Sequence, residues 1–518
     1  MAIFESRSFE PEDESEILSK TDEKWLPIVH HECSFPPEIF SLVMENFIKN
    51  PNLNSTHLYR GEISYDQEYT DGLSIESTTS ENEILPRVTL LHNFTLNRVL
   101  VRTLIPRNAQ LDRSLDQTCL SYSQNLESGE IQSLVIYHPH INSASESPFY
   151  HPGVRGVGFL HSWNPQINQG RISIHYSFFP DSAKTTCTPE ELEVERARQG
   201  QKNNTPEKLK MTAHHLLRVL HKHGQGTSAG YVKRVHHDQL LPQATVQNIY
   251  AGLKAKYAKD LIKNWVEVTD PTKHVFEDLC IAAFLIALWD DMYKSKNLPV
   301  PKFVDIGCGN GLLTHILLSE GYGGTGFDAR ARKSWVTYPA STQSQLSELV
   351  LVPAILSPTD DSELATTAVG EISSSAGIHD GTFTPDTFII SNHADELTPW
   401  TPLLATPSKN PFIIIPCCSH SLSGAKFRAP GGGNGSAYAA LVGWTRRIAE
   451  RCGWEVEKEM LRIPSTRNAA LIGRRMKRED EDGGAAVNVK EIVEEFGGAE
   501  GWVENAMKLV KSSVPRGH

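Results

Sequence analysis

The sequence predicts an α/β protein with a doubly wound, mostly parallel sheet containing one antiparallel strand, preceded by an N-terminal β-rich accessory region. Short apolar strands alternate with helical segments in the C-terminal half of the chain. A strand, a glycine-rich turn and a helix follow one another over residues 302–320. The chain has 518 residues, which is enough for two or three domains.

Composition excludes several classes of protein. The net charge of -12 argues against indiscriminate polyanion binding, although a local basic surface remains compatible with nucleic acid. The longest apolar runs, such as 279–289, are far shorter than a membrane span. The eight cysteines show no CxxC spacing, which predicts neither a zinc module nor a disulfide scaffold. We therefore expect a soluble protein of a reducing compartment, without a membrane segment and without a metal site.

The N-terminal half divides into two predicted segments. Residues 1–24 are acidic and polar, without the apolar stretch of a secretory signal, and are expected to form a disordered tail. Residues 25–190 contain β-like runs, for example at 87–107 and 172–179, and predict an antiparallel accessory domain. The acidic stretch 188–200 marks the predicted boundary.

A basic helical segment is predicted over 200–298. Within it, residues 202–263 carry eleven Lys or Arg against three Asp or Glu, a net charge of +8 in an acidic chain. A helix predicted over 248–266 has four lysines that we expect on one side: Lys254, Lys256, Lys259 and Lys263. Either an ordinary solvated face or a polyanion-binding surface would account for them. An almost entirely apolar helix over 269–289 should pack against a sheet.

The predicted catalytic domain, 299–478, contains the alternating elements in order. After the strand 302–306 and the glycine turn, a helix begins at Leu312. The remaining strands are predicted at 324–327, 349–356, 387–391, 412–416, 454–463 and 468–474, with a helix over 437–452 before the last two. The Ser/Thr/Gly-rich stretches 357–385 and 429–436 are expected to be insertions. A separate C-terminal helix is predicted within 483–518.

The glycine turn indicates the ligand. Its pattern is G-x-G-x-G with Asp305 two positions before the first glycine, whereas the dinucleotide fingerprint is G-x-G-x-x-G. The second strand ends at Asp328, 21 residues after Gly307, where a carboxylate can bind both hydroxyls of a ribose. These features predict a site for S-adenosylmethionine, with its carboxylate at the helix N-terminus. The predicted cofactor-binding residues are Asp305, Gly307, Gly309, Gly311, Asp328 and Asn392.

Five stretches of the sequence carry a family resemblance. They are KRVHHDQLLPQATVQNIYAGLKAKYAKDL (233–261), DPTKHVFEDLCIAAFLIALW (270–289), FVDIGCGNGLLTHILLSEGYGGTGFDARARKSW (303–335), NHADELTPWTPLLA (392–405) and PCCSHSLSGAKF (416–427). In these stretches the chain resembles the fungal tRNA (uracil-2'-O)-methyltransferases that act on uridine 44 of serine tRNA. The resemblance implies a class I methyltransferase fold, tRNA as partner and a cytoplasmic location. The Cys/His zinc module of some family members is not expected in this chain.

Ribose methylation requires a polar group that removes a proton from a weakly acidic hydroxyl. Asp395, Glu396 and Lys426 follow the fourth and fifth strands, at the sheet edge where substrates bind, and are the candidates for this role. An equally good interpretation is that Asp395 or Glu396 caps the following helix or pairs with Arg330. Three residues after the second strand are candidates either for tRNA phosphate contacts or for bracing the donor loop: Arg330, Arg332 and Lys333.

Two alternative functions remain open from the sequence. An RNA pyrimidine C5 methyltransferase needs a cysteine nucleophile, which Cys417 or Cys418 could supply after the fifth strand. A non-catalytic tRNA-binding protein that kept the fold is the other alternative. The intact glycine loop with both acids argues against the second of these.

Overall fold

The computed structural model describes residues 4–9, 15–21, 23–69, 84–108, 111–180, 205–231, 236–356, 377–430, 436–477 and 487–511. The chain forms two compact units, Met1–Lys233 and Arg234–His518. Each unit contains one eight-stranded sheet. Within the described residues, no helix combines the length and apolar character that crossing a membrane requires.

The first unit is built on an antiparallel sheet. Its strands are β1 (Arg7–Ser8), β2 (Trp25–Cys33), β3 (Leu58–Glu68), β4 (Thr95–Pro106), β5 (Leu115–Asn125), β6 (Ile131–Pro139), β7 (Gly156–Asn164) and β8 (Gln169–Ser177). They lie in the order β1-β2-β8-β7-β6-β5-β4-β3. Helices α1 (Pro37–Lys49) and α2 (Pro206–Ser228) share a buried apolar cluster with one face of this sheet.

Two expectations about this unit need correction. The described part of residues 1–24 is not a disordered tail, because Arg7 and Ser8 pair with β2 and Ile17 is buried in the cluster that contains Trp25. Helix α2, expected within the basic segment 200–298, belongs to the first unit. The apolar stripe of α2, which includes the fully buried Leu217, packs into the cluster on the first sheet. This apolar packing, and not the basic composition of the helix, decides to which unit it belongs.

The second unit contains a mixed sheet in which parallel pairing predominates. Its strands are β9 (Lys302–Ile306), β10 (Gly324–Asp328), β11 (Leu346–Leu351), β12 (Gly377–His379), β13 (Thr387–Asn392), β14 (Phe412–Ile415), β15 (Trp454–Met460) and β16 (Ala469–Met476). Their order is β12-β11-β10-β9-β13-β14-β16-β15. Strands β9 to β14 pair in parallel, and β16 is antiparallel to both β14 and β15.

Helices cover both faces of the second sheet. They are α3 (Gln243–Lys263), α4 (Pro271–Met292), α5 (Leu312–Ser319), α6 (Ala340–Gln343), α7 (Thr401–Ala405), α8 (Ala437–Arg451), α9 (Val489–Glu495) and α10 (Trp502–Lys511). Neighbouring strand residues point into different cores, because side chains alternate along a strand. Phe303 packs with α4 and α5, whereas Val304 packs with α7 and α8. The strand ends beyond these two layers are therefore the positions open to a ligand.

Several predicted elements differ from the observed ones. The third strand predicted for the catalytic domain, 349–356, corresponds to β11, which begins and ends earlier, at Leu346–Leu351. The predicted insertion 357–385 contains strand β12, which pairs with β11. The predicted C-terminal helix is two helices, since Gly497 and Gly498 between them adopt positive φ, which glycine accommodates at low cost. Trp502 packs against Trp400, so this segment completes the core of the second unit instead of standing apart.

Candidate functional site

A cavity of about 900 Å³ opens at the carboxyl ends of β9, β10 and β13 in the second unit. Ligands of open α/β sheets bind at this edge, where the loops after the strands meet. Of the predicted cofactor residues, five line the cavity: Asp305, Gly307, Gly309, Asp328 and Asn392. Gly311 does not line the cavity; it is the N-cap residue of α5.

The three loop glycines have φ values of 70°, 54° and 73° at Gly307, Gly309 and Gly311, which disfavour any other residue. A Cβ on Gly307 would lie 3.1 Å from that of Ala394, and one on Gly311 would lie 3.0 Å from Leu346 Cδ1. A Cβ on Gly309 would meet no described atom within 4 Å. Gly309 is therefore the glycine that leaves open space above the backbone.

The turn after β10 supports the glycine loop. Trp335 Nε1 donates to the Gly309 carbonyl at 2.9 Å, while Ser334 Oγ and Tyr338 Oη donate to the Asn310 carbonyl at 2.8 and 3.0 Å. Glu267 in turn accepts a hydrogen bond of 2.9 Å from the amide of Ser334. Its Oε1 also lies 2.9 Å from the Ser334 hydroxyl, whose single hydrogen is shared between Glu267 and the Asn310 carbonyl. The supporting role of these residues was not predicted. Their aromatic and hydroxyl side chains, close after a predicted strand end, were the available signal.

Asp328 lies at the end of β10 and is tied to the loop. Its Oδ2 accepts from the Gly309 amide at 3.0 Å, and its Oδ1 accepts from the Arg330 amide at 3.2 Å. Arg332 Nη2 lies 3.5 Å from the same Oδ1. The carboxylate therefore positions the loop and lines the cavity.

Asp305 is almost completely buried beneath the loop. Its Oδ2 accepts from Thr314 Oγ1 at 2.8 Å, whereas Oδ1 has no hydrogen-bond partner among the described residues. Burial raises the pKa of Asp305 to about 7. The hydrogen bond from Thr314 opposes this rise, and the nearby charge of Asp328 adds to it. An unpaired buried carboxylate oxygen at a cavity wall suits a cationic or hydrogen-bond-donating ligand.

Two further acids, Glu277 and Asp278, reach the cavity from α4. His393 Nε2 lies 3.2 Å from Glu277 Oε1, and Asn392 Nδ2 donates to Asp278 Oδ1 at 3.4 Å. Burial, together with the charges of Glu277 and Asp305, raises the pKa of Asp278 well above its ordinary value. Sequence reasoning missed this pair, although adjacent acids within an otherwise apolar helix are unusual enough to have signalled it.

The ends of β13 and β14 bring Asp395, Cys417 and Cys418 together. Cys417 Sγ donates to Asp395 Oδ1 at 3.0 Å. Burial and the neighbouring Asp395 raise the pKa of the Cys417 thiol. Asp395 and His393 both have positive φ, 41° and 52°, a strained backbone for residues other than glycine. Such strain is common at functional sites.

The other predicted catalytic residues are placed differently. Glu396 lines the cavity, and its Oε1 lies 3.7 Å from Nε2 of the buried His420. The side chain of Lys426 is exposed and does not line the cavity. Burial raises the pKa of Cys418, and the positive charge of Lys426 partly opposes this rise. Glu396 is therefore at the cavity, whereas Lys426 lies near it.

The predicted nucleic-acid-binding residues form two groups. Arg330, Arg332 and Lys333 line the cavity mouth. The four lysines of α3 are exposed, but they do not share one side. Lys254 lies over the Phe276 ring at 5.2 Å, on the flank that packs against α4. The other three lie within about 60° of one another around the helix at 100° per residue and define the lysine strip: Lys256, Lys259 and Lys263.

The parallel sheet, the glycine loop and the acid-lined cavity together define an S-adenosylmethionine-dependent methyltransferase. Residues 240–353 match the family model described as "Predicted AdoMet-dependent methyltransferase". Residues 6–234 match the model described as "TRM44-like, N-terminal bet v1-like domain".

Curated relatives identify the particular family. The tRNA (uracil-O(2)-)-methyltransferase of Neurospora crassa is 49% identical and covers 94% of this chain and 93% of its own. The protein of that name from Schizosaccharomyces pombe is 39% identical, covering 95% and 93%, and that from Saccharomyces cerevisiae is 41% identical, covering 74% and 70%. The chain belongs to the tRNA (uracil-O(2)-)-methyltransferase family.

Proposed function

We propose that this chain transfers a methyl group from S-adenosylmethionine to the 2'-oxygen of uridine 44 in serine tRNA, in the cytoplasm. The observation that carries the proposal is the acid-lined cavity directly below the glycine loop, in a chain of this family. The strand order, with β16 as the antiparallel strand, supports a class I methyltransferase fold within residues 299–478. The first unit, Met1–Lys233, then serves as the accessory domain.

The residues of the cavity fit the methyl donor. The open space at Gly309 admits a ligand close to the backbone, and Asp328 beside it can accept hydrogen bonds from ribose hydroxyls. The Oδ1 of Asp305 has no hydrogen-bond partner among the described residues, so it can accept a hydrogen bond from the donor, and Glu277 lines the same cavity. When bound, the donor supplies an electrophilic methyl group on a sulfonium.

The chain itself must align the acceptor hydroxyl and remove its proton. Asp395 lines the cavity at the end of β13, where an acceptor sugar can approach, and is the proposed proton acceptor. Glu396 is a second candidate, although its carboxylate lies near His420. Lys426 is exposed and would have to act from outside the cavity wall, by attracting a phosphate or stabilising developing negative charge.

The alternative of pyrimidine C5 methylation has less support. That reaction requires a thiolate to add to the ring. The Cys417 thiol donates a hydrogen bond to Asp395, and burial raises the pKa of this thiol, so the protonated form is favoured. Methylation of a hydroxyl needs no such covalent intermediate.

The product distinguishes the two reactions. Total tRNA methylated with labelled donor should yield the label in an alkali-resistant dinucleotide, because a 2'-O-methyl group blocks the hydroxyl that cleaves the adjacent phosphodiester. A serine tRNA transcript with cytidine at position 44 is the matched control and should accept little label. Label found only in alkali-sensitive mononucleotides would establish base methylation and refute the proposal.

A further inference from the structure

Asp395, Cys417 and Cys418 form a cluster whose two thiols have no role in the proposed methyl transfer. One carboxylate oxygen and the two sulfur atoms all lie within 4.8 Å of one another. All three residues are half-buried and line the cavity, so an ion could reach them. The cluster arises where the loops after β13 and β14 meet, far from any CxxC pattern that sequence reasoning recognises.

The spacing suits one metal ion. Zinc binds sulfur at ~2.3 Å and carboxylate oxygen at ~2.0–2.2 Å in a tetrahedral arrangement, so the ligand atoms of one ion lie about 3.5–3.8 Å apart. The three ligand atoms lie within 4.8 Å of one another, so side-chain rotations that bring them together by up to about 1 Å would complete the site. Two thiolates and one carboxylate select a thiophilic divalent cation such as zinc over magnesium or calcium.

The surroundings contribute charges of both signs. Glu277, Asp278 and Asp305 line the same cavity, together with Lys273, Arg330 and Arg332. The cluster itself brings a carboxylate and two sulfur atoms close together, with Cys417 Sγ 3.0 Å from Asp395 Oδ1. A bound cation would offset the repulsion among these three groups once the thiols lose their protons.

We propose that Asp395, Cys417 and Cys418 bind a zinc-like divalent cation, with a fourth coordination position open to the cavity. Three protein ligands and one exchangeable position are the arrangement of zinc sites that bind a small ligand or water. The proposal stands independently of the methyl-transfer function. A carboxylate that binds metal through one oxygen keeps a second, so metal binding does not exclude proton acceptance by Asp395.

Cobalt provides a direct test, because Co²⁺ bound to thiolates gives a near-ultraviolet charge-transfer band. The full-length protein, freed of metal with a chelator, should develop this band on titration with Co²⁺ and lose it when Zn²⁺ is added. Cys417→Ser and Cys418→Ser should each weaken Zn²⁺ binding at least tenfold in competition titrations. Asp395→Asn should weaken it while keeping the thiolate band.

Cys280→Ser is the matched control, since Cys280 is a half-buried cysteine on α4 that does not line the cavity. This variant should bind Co²⁺ as the unmodified protein does. Absence of a thiolate band in the unmodified protein would refute the site, whatever the stability of the variants. A band that persists undiminished in both cavity variants, or disappears in Cys280→Ser, would also refute it.

Discussion

At the scale of single residues, the loop glycines differ in what a side chain would meet. Gly307 is close to Ala394 across the base of the cavity, Gly311 is close to Leu346, and Gly309 is open. The positive φ disfavours residues other than glycine at all three positions. At Gly307 and Gly311 a side chain would also come too close to a neighbouring residue, which adds to the energetic cost. The effect of a substitution should therefore depend on position as well as on backbone strain.

Gly307→Val should weaken S-adenosylmethionine binding at least tenfold, about 1.4 kcal/mol, because it adds both left-handed strain and a clash with Ala394. Asp328→Ala should have a similar effect, since it removes the acceptor of the Gly309 amide. Isothermal calorimetry measures both. Gly321→Ala is the control, because Gly321 has φ 87° but lies outside the cavity, and its affinity should be unchanged. Unchanged affinity in Gly307→Val and Asp328→Ala would contradict the assignment.

Asp305→Asn should stabilise the ligand-free protein at high pH. The pKa of Asp305 is raised from 3.8 to about 7, so ionising it in the folded protein costs stability as pH rises through this interval. Asparagine cannot ionise but can still accept from Thr314. Thermal unfolding should therefore show a higher midpoint for the variant above pH 7 and little difference below about pH 4. Parallel pH profiles for the two proteins would disprove this account.

The same residues show how far sequence reasoning extends. Asp305, Gly307 and Asp328 could be located because their roles depend on local spacing around one strand and turn. Glu277 and Asp278 were missed, because they reach the cavity only through the packing of α4 against β9 and β13, and the only signal in the sequence was a pair of acids within an apolar helix. Lys426 was placed by its position after a strand, but the loop directs its side chain into solvent.

At the scale of elements, the central strands were predicted well because each is a short apolar run between turns. Strand β12 could not be predicted, since three residues in a Ser/Thr/Gly-rich stretch carry no periodicity and pair only because β11 offers an edge. The expectation that the four lysines of α3 share one side of the helix was wrong for a different reason. Helical spacing places Lys254 away from the other three, and contact with Phe276 keeps it there.

The lysine strip allows a test of tRNA binding by α3. Replacing Lys256, Lys259 and Lys263 by glutamine should lower the slope of log affinity against log salt, by about one for each lost phosphate contact. Filter binding of tRNA over a range of salt concentrations measures the slope. The same replacement at three exposed lysines elsewhere in the second unit should leave it unchanged: Lys302, Lys458 and Lys490. Equal slopes for both triple variants would identify the strip as an ordinary solvated surface.

At the scale of the whole molecule, the two units have separate cores, and every residue that lines the cavity belongs to the second. A ligand at 100 times its dissociation constant stabilises the protein that binds it by ~2.7 kcal/mol. Some backbone amides of β9 and β10 exchange their hydrogen with solvent only when the second unit unfolds. When S-adenosylmethionine is bound, this hydrogen exchange should therefore be roughly a hundredfold slower. Amides of β5 to β7 should not change. Equal slowing in both units, measured by mass spectrometry, would contradict this expectation.

The support of the glycine loop by Ser334, Trp335 and Tyr338 has a consequence for the rate of ligand capture. Three hydrogen bonds fix two adjacent carbonyls of the loop, so its amides are oriented before a ligand arrives. The observed association rate should then rise linearly with donor concentration in stopped-flow fluorescence, because no slow rearrangement precedes or follows the encounter. In Trp335→Phe the loop loses one of its three restraints, and the rate should reach a plateau set by the time the loop needs to order itself.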